Sequence, residues 1–107
     1  TWLAGQRRNA PEPATEGRSR GRHVFLTNTC VMCHTIQGTP AASRVGPDLT
    51  HVASRGRIAA GTLPNTRGHL AGWVTDPHGA KPGVRMSVNP LKPDELHALL
   101  DYLESLK

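Results

Sequence analysis

The sequence predicts an all-α domain of three or four helices joined by long loops. Three observations carry this reading. Leu96, Leu99, Leu100, Leu103 and Leu106 recur at helical spacing near the C-terminus. Leu70, Trp73 and Val74 fall on one face, at spacings of three and four, in a segment that Pro77 stops. No stretch alternates apolar and polar residues over the length of a convincing strand.

The elements follow in order. Residues 1–20 read as a tail and linker, because Pro11 and Pro13 break any helix and Arg, Glu, Ser and Ala make up much of the remainder. Residues 21–29 suit a short helix running into Cys30. Residues 35–66 are punctuated by Gly38, Pro40, Gly46, Pro47, Gly56, Gly61 and Pro64, and predict loop with at most one short helix. So long an irregular stretch needs something to wrap around. Residues 67–76 read as a helix. In the last helix Pro93 suits the first turn, and Asp94 and Glu95 lie where the helix dipole favours acids.

Composition bounds the function. The 107 residues allow one small domain. Only 4% are aromatic (Trp2, Phe25, Trp73 and Tyr102), few for a core of this size, and small domains often borrow a metal or cofactor. No apolar run approaches the ~20 residues of a membrane span. The opening TWLAGQRRNAP lacks the apolar centre of a signal peptide, as expected of a processed chain or a piece of a longer one. The net charge of +5 is spread without a like-charged block. That argues against a nucleic-acid surface and fits weak steering toward an acidic partner.

One motif carries chemistry. Cys30-Val31-Met32-Cys33-His34 is C-x-x-C-H, the pattern of covalent haem c attachment. Cysteines three apart can reach the two vinyl groups of one haem, and the adjacent histidine can then coordinate the iron. A thioredoxin-like pair would need a βαβ pattern, which is missing. A zinc site would need two further ligands from His51, His69, His78 or His97, none at paired spacing. For the sixth iron ligand there are two methionines. Met32 lies inside the attachment loop, and Met86 sits in a Pro/Gly loop, Lys81-Pro-Gly-Val-Arg-Met86. Met86 is therefore the expected ligand, with core filling as the bland alternative. The remaining histidines are rivals, His78 the nearest in sequence, and each is expected to be a solvated surface residue.

With these residues in place, positions 21–107 resemble a class I cytochrome c. Gly21 and Phe25 before Cys30, Gly46-Pro47-Asp48-Leu49, Pro82-Gly83-x-x-Met86, and Leu99 and Tyr102 in the last helix match that family in order. The resemblance implies that first and last helices cross with Gly21, Phe25, Leu99 and Tyr102 at the contact. It implies that the Pro47 carbonyl accepts a hydrogen bond from His34, that Arg55 steadies a haem propionate, that Trp73 lies beside the methionine-side face and that Asn65 donates to a propionate. Two departures stand out: Phe25 to Cys30 is one residue longer than the commonest spacing, and Ser87 stands where the family often has proline.

A closer resemblance is to the cytochrome c domain fused to the C-terminus of subunit II in some bacterial haem-copper oxidases. It is carried by Gly46-Pro-Asp-Leu-Thr-His51-Val52 and Ala60-Gly-Thr-Leu-Pro-Asn-Thr66. Thr1–Gln6 looks like the tail of a preceding copper domain, which makes residues 1–20 that tail plus linker and 21–107 the cytochrome domain. The resemblance implies a monomeric one-electron carrier. It would take electrons from a small periplasmic donor, such as a soluble cytochrome or iron–sulfur protein, and pass them to the copper domain of the same subunit. It would be tethered on the outer face of the cytoplasmic membrane, while the parent complex, not this domain, would be the oxidase. The alternatives are a free periplasmic cytochrome c, which shares the chemistry, and a haem sensor or peroxidase with an open iron site.

Overall fold

The structure is a computed structural model that describes residues 8–28, 30–84, 86 and 91–107. The expected tail of a copper domain at 1–6 and the departure at Ser87 lie outside the described residues.

Five helices are present among these residues. They are α1 (Glu16–Thr27), α2 (Cys30–Cys33), α3 (Arg67–Thr75), α4 (Pro77–Ala80) and α5 (Pro93–Glu104). A 3₁₀ turn covers Val52–Ser54, and β1 (Arg57–Ile58) pairs antiparallel with β2 (Leu63–Pro64). The all-α expectation holds, with two differences. The first helix starts at Glu16 rather than Gly21, because the Thr15 hydroxyl caps it by accepting from the Arg18 N–H at 3.1 Å. The short hairpin has no sequence signal because two-residue strands are too short for an alternating pattern.

Local chemistry sets the other ends. α1 stops at Thr27, and the Asn28 amide donates to the Val24 carbonyl at 2.7 Å. Thr66 caps α3 by accepting from the His69 N–H at 3.2 Å. Pro77 ends α3 and also opens α4, where its missing N–H costs nothing and Asp76 accepts from Gly79. At the start of α5 the Glu95 carboxylate accepts from the Lys92 N–H at 3.0 Å.

The frame is the crossing of α1 and α5. A Cβ on Gly21 would collide with the backbone of Ala98 and lie 2.7 Å from Cβ of Tyr102, so only glycine lets the two backbones approach. Phe25, Leu99 and Tyr102 are each 1% exposed beside this contact. Arg20 pairs with Asp94 across the rim, and Arg67 of α3 reaches Asp101 of α5 at 3.0 Å. Exposed pairs of this kind contribute ~0–1 kcal/mol each, so the apolar crossing holds the frame. No helix among the described residues is long and apolar enough to cross a membrane.

Candidate haem site

Between α3, the loop from Val45 to Arg55, the hairpin and the segment before Met86 lies a cleft of about 490 Å³. Its volume falls within the ~300–1,000 Å³ typical of cofactor pockets. The lining is largely apolar: Val52, Ile58, Leu70, Val74 and Leu103 are core residues that also face the cleft. Val45, 82% exposed, stands at its mouth.

Cys33, His34, Pro47, Arg55, Trp73 and Met86 all line this cleft. Met86 is therefore brought to the same cavity as His34 from 52 residues away. Met32 is 69% exposed and is not part of the lining. Cys30 is buried in the core cluster behind the attachment turn. Asn65 is not a lining residue; its amide donates to the carbonyls of Val52 at 2.9 Å and Arg55 at 2.8 Å. Of the histidines expected on the surface, His23, His69, His78 and His97 are exposed. His51 is a correction: it is 7% exposed, because both its ring nitrogens meet main-chain oxygens.

His34 is held from two sides. Its Nδ1 lies 2.8 Å from the Pro47 carbonyl, the bond expected from the resemblance. With Nδ1–H donated there, the neutral ring keeps its Nε2 lone pair for a metal. Gly46 donates its N–H to the Cys33 carbonyl at 2.5 Å, and a Cβ on Gly46 would come within 2.5 Å of Cε1 of His34. The ring lies too close to this backbone for any side chain, so glycine fits there. Sequence reasoning takes Gly46 as part of a motif and misses this steric role; its signal is a glycine directly before the proline that orients the ligand.

Asp48 anchors the next turn. Burial opposes its ionisation, but hydrogen bonds from the Thr50 side chain and backbone, a bond from Gln37 and the charge of Arg55 outweigh that and hold the carboxyl below its usual range. The Thr50 hydroxyl in turn accepts from the Gln37 N–H at 2.8 Å. The Arg55 guanidinium donates to the Asp48 carbonyl at 2.6 Å while lining the cleft. Arg57 and Lys81 also line it, cations that sequence reasoning does not single out.

The alternatives for the cysteines can be tested here. Burial above all pushes the Cys30 thiol up, a backbone hydrogen bond opposes the rise and Cys33 adds to it. A redox-active pair needs a lowered thiol, so this site is poorly built for thiol exchange. Among the described residues no group of three or more His, Cys, Asp or Glu could hold a metal ion, so none of the four histidines joins the cysteines in a zinc ligand set there. Haem fits the residues present. The cavity is apolar, two free thiols lie at or behind its wall, and an imidazole and a thioether, ligands suited to haem iron, line it together.

Fold and site together define a c-type haem domain. The comparisons agree: residues 19–107 match the cytochrome c family, and the chain belongs to it. As a member it takes covalently attached haem c and acts in electron transfer. The chain is similar to cytochrome c oxidase subunit 2 of Alkalihalophilus pseudofirmus, 36% identical over 99% of this chain and 30% of that protein. It is similar to a nitric oxide reductase subunit of Halomonas halodenitrificans, 29% identical over 96% of this chain and 67% of that one. It is also similar to cytochrome c-551 of Ectopseudomonas mendocina, 31% identical over 81% of this chain and 98% of that one. The chain thus spans less than a third of the length of the oxidase subunit.

Proposed function

We propose that the chain is the electron-transfer domain of a cytochrome c oxidase subunit II, in which Cys30 and Cys33 would anchor the haem covalently and His34 and Met86 would hold its iron. One observation carries the oxidase reading: the 36% identity to an oxidase subunit runs over 99% of the chain, whereas the match to cytochrome c-551 takes in 81%. The nitric oxide reductase subunit covers a similar span at the lower identity of 29%. Identity over that span, 36% against 29%, favours the oxidase subunit. Residues 1–20 are on this reading the end of a copper domain and the linker, the last five turned into α1. The copper domain is the partner, a small periplasmic protein is the donor, and the module works on the outer face of the cytoplasmic membrane.

Bound in the cleft, the haem supplies a one-electron couple. The chain's residues set how it is used. His34, with Nδ1–H given to Pro47, keeps its ring oriented and its Nε2 basic. Met86 would offer a neutral thioether to the iron, a donor that favours the reduced state. Leu70, Val74 and Ile58 exclude water, and Trp73 adds aromatic bulk to the wall. Arg55 offers its charge to an acidic group at the rim, while Asn65 holds the carbonyls on either side of that turn. Tethering would supply partner concentration that the modest surface charge does not.

The test is rapid mixing of the reduced protein with the copper domain of an oxidase subunit II. Transfer far faster than to an unrelated copper protein is expected; equal rates would sink the oxidase assignment and leave the free carrier. Met86→Ala should remove the methionine–iron charge-transfer band and lower the potential, and an unchanged spectrum would reassign the ligand. Carbon monoxide binding by the reduced wild-type protein at neutral pH would favour the open-site sensor or peroxidase.

A further inference from the structure

His51 takes no part in the cleft, yet it is buried and doubly bonded. Its Nδ1 lies 2.7 Å from the main-chain oxygen of Lys107, and its Nε2 lies 3.0 Å from the main-chain oxygen of Arg8. Both partners are acceptors only. A neutral imidazole has one N–H and can satisfy one of them; an imidazolium has two and satisfies both. The ring therefore bridges two remote parts of the chain, 43 residues before it and 56 after it.

The segment it grips is docked along its length. The Ala10 N–H donates to the Gln37 carbonyl at 2.9 Å, Asn9 packs on Gly38, and the Glu12 carboxylate accepts from Arg22 at 3.1 Å. On the other side the Ala53 N–H donates to the Leu106 carbonyl at 2.7 Å, so the loop of His51 and the C-terminal end are already joined. The charges on the packed elements are Arg8 on the strap, Glu104 and Lys107 at the C-terminal end, and Asp48 and Arg55 in the loop of His51 itself. Glu104 is engaged by Arg67, Arg55 by the Asp48 carbonyl and the Asp48 carboxylate by Thr50, so the groups that meet the ring are the Arg8 carbonyl and the Lys107 oxygen, which in the 107-residue protein is a carboxylate oxygen.

We propose that His51 is a proton-operated clasp: the charged ring pins the strap of residues 8–12 to the C-terminal end of the domain, and the neutral ring gives up one of the two bonds and loosens the strap. Residues 8–12 are then held against the domain at lower pH and released from it at higher pH. This goes beyond the oxidase reading and does not depend on it.

The test uses the 107-residue holoprotein, reduced and ¹⁵N-labelled, followed from pH ~5 to ~8, the range in which histidine changes charge. Two readouts are taken: the protonation of the His51 ring nitrogens, and the exchange protection of the Ala10 amide relative to Ile36, whose N–H is bonded to the Ala41 carbonyl. The expected result is a doubly protonated ring at the acid end. There the relative protection of Ala10 should be greater by about fivefold, the factor expected of one hydrogen bond. In His51→Gln, which cannot titrate, that ratio should not move with pH. A singly protonated ring at every pH with Ala10 fully protected overturns the proposal, as does the same pH dependence in His51→Gln. If that variant does not fold, the ring nitrogens of the wild-type protein decide alone.

Discussion

The α1–α5 crossing and the loop from Val45 to Gly61 are built by different physics. At the crossing, backbone meets backbone over Gly21, and Phe25, Leu99 and Tyr102 fill the contact with apolar bulk. The loop gives Val52 and Ile58 to the core, but polar bonds set its shape. The Thr50 hydroxyl on the Asp48 carboxylate, the Asn65 amide on two carbonyls and the Arg55 guanidinium on a third hold it open around the cleft. Area burial makes the frame strong and insensitive to charge, whereas a polar scaffold gives the loop shape at little net stability per bond. Damage to the frame should therefore appear as lost stability, and damage to the loop as altered ligation or pH response.

The largest expected effect breaks the frame. Phe25→Ala should cost about 3–5 kcal/mol of unfolding free energy, measured by urea denaturation, while the spectrum of the remaining folded protein stays the same. A changed ligand spectrum in that variant would mean that the two regions are not separable.

Gly46→Ala tests the loop in the opposite way. The added methyl meets the His34 ring, so the axial-ligand spectrum and potential should shift, with a stability loss of about 1–3 kcal/mol. An unaltered spectrum would show that the ring has room to yield.

A smaller effect comes from the hairpin tip, where Ala59 and Ala60 hold φ of 54° and 55°, the left-handed region that favours glycine. Ala60→Gly should stabilise by up to about 1 kcal/mol, the relief being partly offset by a more flexible unfolded chain. A raised midpoint in thermal unfolding checks this.

The smallest effect is a pH response. The Asp48 carboxyl is held below its usual range, so its contribution is present above that range and drains away as pH falls through its lowered folded value. The stability difference between wild type and Asp48→Asn should therefore shrink from pH ~7 to pH ~3. A difference constant across that range would show that the carboxylate charge contributes nothing.

Much of this is legible before any fold is known. The leucine stripe reads out α5, the C-x-x-C-H pentapeptide points to haem, and of the two methionines Met86 is the expected ligand, with the histidines as rivals. α1 begins five residues before the expected start, because a threonine cap outweighs the composition of a linker. The hairpin and the burial of His51 carry no signal, and the steric need for Gly46 shows only as a glycine directly before Pro47.

Local pattern alone decided what depends on neighbours in the chain: helix periodicity, caps, and cysteines spaced for one cofactor. Tertiary structure decided what depends on residues that meet only after folding. It put Met86 and His34 on one cavity, turned Asn65 toward the loop and set His51 between Arg8 and Lys107. Helical spacing is a property of a few consecutive residues, but a cleft or a clasp exists only where distant segments converge, and one sequence does not record those distances.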